Sequence, residues 1–369
     1  MKTDFKKLFE TSGKPNDVVV IERLSGSKHP VVLYGASPDV ADSIVKKLAR
    51  HQISIALVAF DADSRHTVLT SALLKDVEAV SAGELDKRFK QYHVVLGFVK
   101  GYSQIALIAP KFRNALSVDY LSEIFDMEII TPSFVAENSE ILEDFYENLQ
   151  DQLSKDSFIA YLKSKTRQDM QYLPPVFDKM QYFPRGLFQF TDHESYFDGG
   201  AFIGDTINDF LKATDGVYRR IWAVEPDRAN FRQLTKYIEE ANLQDIEAIN
   251  KGIYGFTGKL PFREDGSMLS MLAEDAHHSI DVDTIDHIVG SAPVTYIKLD
   301  VEGAELMALK GAEHTIRANK PLLGVSIYHK QQDMIAIPLY IKQLVPEYKF
   351  YFRVHKKLAI DTILYAVVC

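Results

Sequence analysis

The sequence predicts an α/β protein with two doubly wound units, the second of which ends in a reversed strand. Strand-like apolar runs alternate with segments of helical periodicity, and each half contains a strand that ends at a glycine turn. The last two strands, expected at 348–354 and 362–368, are joined by too few residues for a helical crossover. They are therefore expected to pair antiparallel.

Composition favours an ordinary globular protein. At 369 residues, with 46% hydrophobic and 25% charged content, the chain is long enough for two domains with cores of their own. A formal net charge of −9 disfavours nucleic acid as a partner. The single cysteine, Cys369, gives no disulfide framework, and no apolar run approaches the ~20 residues of a membrane span. The start of the sequence has no leader-like apolar region, so we expect a cytoplasmic protein.

Residues 1–132 are expected to form a Rossmann-like domain of uncertain binding role. A strand at Val31–Tyr34 leads into a turn with Gly35, and a helix follows at Val40–Arg50. Further strands are expected at 53–60, 92–98, 105–108 and 127–130. The turn has one glycine where a dinucleotide fingerprint has three, so a scaffold and a nucleotide site both remain open.

A connector that is first helical and then aromatic is expected at 133–190. Glu137–Leu153 has apolar residues at helical spacing, and Tyr172–Phe190 is rich in aromatic residues and prolines. Such aromatic residues cover the edge of a core or form a lid or wall of an acceptor pocket.

A glycine turn between strand and helix is the main functional signal in the second half. Residues 196–206 read Y-F-D-G-G-A-F-I-G-D-T, and the helical apolar pattern begins at Ile207. Gly199, Gly200 and Gly204 permit backbone conformations that a Cβ would block, and a helix N-terminus offers unpaired N–H groups. This indicates a main-chain site for a polar ligand, although a turn that needs glycine only for steric reasons has the same pattern.

Two acidic residues each end a strand of the predicted sheet. Glu225 follows the turn by roughly 20 residues, where a doubly wound sheet places a carboxylate for ribose hydroxyls. Asp300 ends another strand and faces the crevice in which such sheets bind ligands. Glu302 and Glu305 fit the first turn of the next helix, where the helix dipole favours acids. Together these residues predict a site for a nucleoside-containing cofactor.

The expected strand order separates two cofactor classes. Strands are expected at 195–198, 220–225, 246–250, 294–299, 321–328, 348–354 and 362–368. A mainly parallel sheet that ends in one reversed strand is the architecture of class I methyltransferases. A nicotinamide-binding domain does not require the reversed strand.

From Asp192 to the C-terminus the sequence resembles the FkbM family of S-adenosylmethionine-dependent methyltransferases. The matching motifs occur in the expected order: D-G-G-A-F-I-G-D-T, A-V-E-P-D-x-x-N-F-x-x-L, V-D-T-I-D, I-K-L-D-V-E-G-A-E, S-I-Y-H and T-I-L-Y-A-V. The resemblance implies a methyltransferase domain at 191–369 with S-adenosylmethionine as its cofactor. It also implies transfer to a hydroxyl of a small molecule or glycan, such as a sugar or natural product.

The same resemblance implies a set of cofactor-binding residues: Asp198, Gly199, Gly200, Ala201, Gly204, Thr206, Glu225, Asn250, Lys251, Gly252, Ser270 and Asp300. Glu225 would bind the ribose, and Asn250 to Gly252 would lie near the adenine. Phe202 stands where many class I enzymes have a glycine, which is expected to narrow the turn.

A neutral hydroxyl is a poor nucleophile, so a base is expected near the acceptor. His329, after the fifth strand, is the first choice, with Asp300 as its alternative or its orienter. A purely structural histidine explains the position equally well. A divalent cation held by Asp300, Glu302 and His329 is a less favoured alternative, and no metal ligand is assigned.

Two other functions remain open at this point. A binding or assembly protein can retain a methyltransferase fold, and a nicotinamide oxidoreductase is a less favoured third interpretation. In the methyltransferase interpretation, the first domain is expected to recognise the carrier of the acceptor, for instance the nucleotide of an activated sugar, through Gly35 and Asp61. The sequence leaves the acceptor and the oligomeric state open, a homo-oligomer included.

Overall fold

A computed structural model describes residues 5–9, 13–61, 73–98, 101–122, 128, 130–184, 186–263, 271–272, 278–355 and 361–368. The chain divides into two compact units. Unit 1 comprises 1–139, 159–175 and 357–359, and unit 2 comprises 140–158, 176–356 and 360–369. The segment expected as a connector, 133–190, contributes residues to both units.

Unit 1 contains a parallel sheet, and its described strands are β1 (Val31–Tyr34), β2 (Ile55–Phe60), β3 (Ala79–Ser81), β4 (Tyr92–Leu96) and β5 (Ala115–Asp119). The order is β3-β2-β1-β4-β5. The helices of this part of the chain are α1 (Phe5–Phe9), α2 (Asn16–Ser25), α3 (Pro38–Arg50), α4 (Leu85–Arg88), α5 (Gly101–Ile108) and α6 (Pro132–Glu137). All pairings between neighbouring strands are parallel, as in a Rossmann-like unit.

The strand expected at Ile105–Ile108 is wrong, because these residues lie in α5. A short apolar run has no periodicity that separates a strand from a helix. The strand expected at 127–130 falls largely outside the described residues, and 128 and 130 are not in a strand. The short strands β3 and β5 were missed.

Two helices follow unit 1's N-terminal segment, α7 (Ser139–Glu147) and α8 (Gln152–Arg167). The described strands of unit 2 are β6 (Ser195–Gly199), β7 (Arg220–Val224), β8 (Ile246–Ile249), β9 (Gly252–Ile253), β10 (Gly258–Arg263), β11 (Met271–Leu272), β12 (His278–Asp283), β13 (Tyr296–Leu299), β14 (Leu322–Ser326), β15 (Lys349–Val354) and β16 (Thr362–Val367). Its helices are α9 (Asp205–Ala213), α10 (Arg228–Glu240), α11 (Ile285–Val289), α12 (Glu305–Lys310), α13 (Glu313–Asn319) and α14 (Asp333–Leu344).

The main sheet of unit 2 has the order β15-β16-β14-β13-β6-β7-β8 in the described part of the chain. β16 is antiparallel to both of its neighbours, and the pairs among the strands from β14 to β8 are parallel. The sequence predicted each of these strands to within two residues at either end, together with the reversal of the last one. The reversed strand lies one position inside the edge. A second sheet, β11-β10-β12-β9, was not predicted.

β6 and β13 occupy the middle of the main sheet and are buried along their whole length. This is typical of parallel strands that helices cover on both faces. Tyr196 of β6 stacks on Phe210 of α9 with their ring centroids 4.5 Å apart, and Tyr296 of β13 packs beside them. The core therefore fixes the strands whose carboxyl ends carry the polar residues predicted from the sequence. Among the described residues, no helix is both long enough and apolar enough to cross a membrane.

A buried ion pair joins the two central strands. Asp198 of β6 and Lys298 of β13 are partners in the parallel register, and Lys298 Nζ lies 3.0 Å from Asp198 Oδ1. The side chains are 0% and 2% exposed respectively. Burial alone would lower the pKa of Lys298, but the carboxylates of Asp198 and Asp300 raise it, so the lysine stays charged.

The glycine turn after β6 is in direct contact with the lysine of this ion pair. Lys298 Nζ also donates a hydrogen bond of 2.6 Å to the carbonyl of Gly200. Gly200 has a φ of +81°, and a Cβ there would lie 1.9 Å from the carbonyl oxygen of Asp300. Glycine is therefore required at this position both by the backbone conformation and by the close approach of the neighbouring strand end.

We expect Gly200→Ala to destabilise unit 2 by more than about 3 kcal/mol, since a left-handed backbone and a steric clash act together. Gly216 is a matched control: its φ is +74°, and nothing lies within 4 Å of an added Cβ. Gly216→Ala should lower the free energy of unfolding by only about 1–2 kcal/mol. Urea unfolding followed by the fluorescence of Trp222, the single tryptophan, buried in β7, measures both changes. Equal losses would contradict the role given to the close approach.

Lys298→Met should lower the free energy of unfolding by about 3–5 kcal/mol, because it leaves the Asp198 carboxylate buried without its partner. Lys320→Met is the control, because it removes an exposed partner of Glu347. It should change the free energy of unfolding by less than about 1 kcal/mol. The double variant Asp198→Asn/Lys298→Met should recover much of the loss. The same Trp222 measurement applies, and a Lys298→Met protein as stable as Lys320→Met would refute this account.

Candidate functional site

The glycine turn between β6 and α9 is held against the end of β7. The N–H groups of Gly200 and Ala201 both donate to the carbonyl of Val224 at 3.0 Å. Phe202 takes a left-handed φ of +48°, and its N–H donates to Glu225 Oε2 at 2.9 Å. A left-handed non-glycine residue is a strained backbone position. Here it directs the turn toward the carboxylate that the sequence assigned to ribose binding.

Glu225 lies just beyond β7 and is 5% exposed. Oε1 accepts a 2.9 Å hydrogen bond from the N–H of Asp227, and Oε2 accepts the one from Phe202. Burial raises the pKa of this carboxyl to about 7, although the two backbone hydrogen bonds lower it. Each carboxylate oxygen can accept more than one hydrogen bond, so both retain capacity for a ligand hydroxyl.

Asp198 and Thr206 lie beneath the turn and are joined by a hydrogen bond. Thr206 Oγ1 donates to Asp198 Oδ2, while Oδ1 of the same carboxylate faces Lys298. Because Asp198 is fully buried, its side chain supports the backbone of the turn. A direct contact of this carboxylate with a cofactor would require it to become accessible.

The residues expected near the adenine have contacts of their own. Asn250 donates to the carbonyls of Glu225 and Pro226 at 2.8 and 3.0 Å, which fixes the loop after β7. Lys251 pairs with Asp283 at 2.7 Å, and Gly252 begins β9. Asn250 and Lys251 are thus held by contacts within the protein, and the role of the three residues in adenine binding stays a prediction. Ser270 lies outside the described residues.

Asp300 follows β13 and is bound by two tyrosines. Oδ2 accepts a 2.8 Å hydrogen bond from Tyr182, and Oδ1 accepts one of 3.3 Å from Tyr328. Burial favours the neutral acid, but Lys298 and His329 lower the pKa of Asp300 below its usual value. Asp300 is therefore a carboxylate at neutral pH. Tyr182 belongs to the aromatic segment before β6, and the role of that segment as a wall of an acceptor pocket stays a prediction.

His329 follows β14 and lies among carboxylates. Its Nε2 is 3.2 Å from Glu302 Oε2 and 3.7 Å from Asp300 Oδ1, and its Nδ1 is 3.0 Å from Glu305 Oε1. Burial lowers the pKa of the imidazole, but Glu305 and Glu302 together raise it well above its usual value. The structure thus brings together His329 and Asp300, the two residues that the sequence proposed for catalysis.

Sequence reasoning missed four residues of this site: Lys298, Tyr182, Glu305 and Asp333. The sequence explains Glu305 as an acid that the helix dipole favours in the first turn of α12, but its side chain is fully buried and faces His329. Burial and the neighbouring Glu305 raise the pKa of Asp333 to about 7. For Lys298 the available signal was a lysine inside an otherwise apolar strand, as in I-K-L-D, since a central strand buries a charge only with a partner.

The candidate residues of unit 1 form a separate group. Asp61 accepts hydrogen bonds from Lys111 at 2.8 Å and from Tyr34 at 2.9 Å, and Gly35 has a φ of +73°. Lys111 therefore neutralises much of the negative charge of Asp61. A nucleotide-binding role for these residues stays a prediction.

Comparison with known proteins identifies a family match and a shared fold. Residues 198–350 match the family model described as the methyltransferase FkbM domain. The methyltransferase FkbM of Methylobacillus flagellatus aligns over 98% of this chain and 97% of its own, with a TM-score of 0.75 and 23% identity, and thus shares the fold. A search of curated proteins finds no match.

Weaker structural matches cover about half of this chain. An rRNA methylase from Streptococcus thermophilus has a TM-score of 0.32 and 13% identity over 47% of this chain and 86% of its own. A SAM-dependent methyltransferase from Aquifex aeolicus has a TM-score of 0.29 and 11% identity over 48% and 82%. Residues 198–350 thus match the methyltransferase FkbM domain, and the strand order of unit 2 agrees with the methyltransferase fold that this match implies.

Proposed function

We propose that unit 2 binds S-adenosylmethionine and transfers its methyl group to a hydroxyl of a small molecule or glycan. The observation that carries this proposal is the buried Glu225 carboxylate, fixed by the N–H groups of Phe202 and Asp227 beside the glycine turn. Its remaining acceptor capacity suits the two adjacent hydroxyls of a ribose. The residues present therefore fit a nucleoside-containing methyl donor.

Three parts of unit 2 would hold the donor. The backbone of the turn from Gly199 to Gly204 and the N-terminus of α9 would face its polar part, and Glu225 would bind the ribose. The loop from Asn250 would lie near the adenine, and Asp300 near the methionine portion. S-adenosylmethionine supplies a methyl group on a positively charged sulfur, which is already activated for displacement.

The chain must then position the acceptor and receive its proton. Asp300 and His329 lie together at the carboxyl ends of β13 and β14, and Asp300 is held as a carboxylate. As the new oxygen–carbon bond forms, the sulfur–carbon bond breaks with its electron pair left on sulfur. The hydroxyl proton passes to the Asp300–His329 pair. Because a hydroxyl must lose a proton as it is methylated, the presence of groups that can accept a proton supports a hydroxyl as the methyl acceptor.

The surroundings of this pair support a polar acceptor. The side chains of Asp300 and Glu302 are 19% and 23% exposed. The hydroxyl groups of Tyr182 and Tyr328 both donate hydrogen bonds to Asp300. Carboxylates and phenols are groups that recognise sugar-like hydroxyls. A screen of sugars and hydroxylated metabolites with labelled methyl donor tests this class directly.

Glu225→Gln should weaken binding of S-adenosylmethionine by about 10–100-fold, since it replaces a charged acceptor of hydrogen bonds. In the wild type, affinity should rise between pH 6 and pH 8, because the carboxyl titrates near 7 and its ionised form binds. The slope should reach at most about tenfold per pH unit and should be absent in Glu225→Gln.

Calorimetric titration at several pH values measures both effects, with the exposed Glu239→Gln as the control. Equal affinity of Glu225→Gln and wild type would refute the ribose assignment. No binding by the wild type would favour the alternative of a non-catalytic binding protein, and binding of NAD instead would favour an oxidoreductase.

His329→Ala should lower turnover by about 10²–10⁴-fold while the affinity for the methyl donor stays near wild type. The control is His193→Ala, whose side chain is largely exposed. Labelled methyl transfer to an acceptor found in the screen measures turnover, and calorimetry measures affinity. Normal turnover in His329→Ala would remove this residue from the mechanism.

A further inference from the structure

Three side chains converge at the carboxyl ends of β13 and β14. A carboxylate oxygen of Asp300, a carboxylate oxygen of Glu302 and a ring nitrogen of His329 all lie within 4.8 Å of one another. Two ligands at right angles on a cation, with bonds of about 2.1 Å, are about 3 Å apart. The distances of 3.2 and 3.7 Å from His329 Nε2 to the two carboxylates are close to that spacing.

The imidazole of His329 is buried and lacks an aligned hydrogen bond. Its side chain is 6% exposed, and neither ring nitrogen has a partner with hydrogen-bond geometry in the described part of the chain. Nδ1 faces Glu305 Oε1, so Nε2 is directed toward Asp300 and Glu302. A metal-bound histidine commonly has a carboxylate at its other nitrogen, which sets the orientation of the ring.

The cluster has an excess of negative groups. Asp300, Glu302, Glu305 and Asp333 surround the imidazole, and within the described residues Glu305 Oε2 and Asp333 Oδ2 accept no hydrogen bond. Lys298 lies against Asp198, and Lys330 donates to the carbonyl of Gly303. Buried carboxylates are stable only when a cation or a proton compensates them. The protonated imidazole of His329 supplies one positive charge, and a divalent cation in place of its proton would supply two.

We propose that Asp300, Glu302 and His329 Nε2 bind a divalent cation and that Glu305 positions the imidazole. One imidazole and two carboxylates suit a six-coordinate ion such as Mn²⁺ or Mg²⁺. Three protein ligands leave coordination positions for water and an acceptor hydroxyl, and the partial exposure of Asp300 and Glu302 provides access.

The catalytic meaning of this site rests on the proposed function. A hydroxyl bound to a divalent cation is a stronger acid than a free one, so its oxygen is a better nucleophile for the methyl group. The proton would leave to the adjacent carboxylates or to water. The Asp300–His329 pair would thus act on the acceptor through the cation.

The test is a titration of the full-length chain, stripped of metal with a chelator, with MnCl₂ in the absence of methyl donor. Electron paramagnetic resonance measures the free Mn²⁺. We expect one bound ion per chain, a loss of affinity of at least about tenfold in Glu302→Gln, and one of about 10–100-fold in Glu305→Gln. The control, Glu239→Gln, should bind as the wild type does.

Absence of stoichiometric Mn²⁺ binding, or wild-type binding by Glu302→Gln, would overturn the proposal. Unfolding followed by Trp222 fluorescence checks that each variant is folded, and Asp300→Asn replaces Glu302→Gln if that variant is not. Binding of S-adenosylmethionine to the metal-free protein is measured separately by calorimetry. If the donor binds and Mn²⁺ does not, the metal site alone fails; if the donor does not bind, the proposed function fails.

Discussion

The buried pair of Asp198 and Lys298 is the interaction on which the rest of the site depends. Parallel register places the two side chains opposite each other at the centre of the main sheet, where neither reaches solvent. Lys298 also binds the carbonyl of Gly200, and the backbone of Asp300 lies against that glycine. One charged interaction therefore sets both the shape of the turn and the position of Asp300. Removal of either charge would leave the other buried without its nearest partner.

The surroundings give the carboxylates of unit 2 different properties. Asp300 has Lys298 and His329 nearby and remains ionised, whereas the pKa of Glu225 rises to about 7 because burial outweighs its two backbone hydrogen bonds. Burial also raises the pKa of Glu302, against the effect of His329. Acidic side chains of the same kind thus hold different charges within one site, as burial and neighbouring charges dictate. This separation supports the proposed roles of Glu225 at a ribose and of Asp300 at a proton or a cation.

Local patterns were sufficient for most of the architecture. The strands of the main sheet in unit 2 were predicted to within two residues, since buried parallel strands are continuous apolar runs bounded by turns. The same rule failed at Ile105–Ile108, because a short apolar run within a helix has the same appearance. The small sheet formed by β9 to β12 was missed because β9 and β11 have only two residues each, and β10 and β12, with six residues each, are not continuous apolar runs.

The sequence by itself determined the two α/β units, the reversed last strand, the glycine turn and the placement of Glu225, Asp300 and His329 at strand ends. These features depend on residues close together in the chain. Only the tertiary structure decided that Lys298 pairs with Asp198, that Tyr182 binds Asp300, and that Glu305 faces His329. Such contacts join distant segments through strand register and helix packing. Burial then gives them their strength, because a charge removed from water must find its partner within the fold.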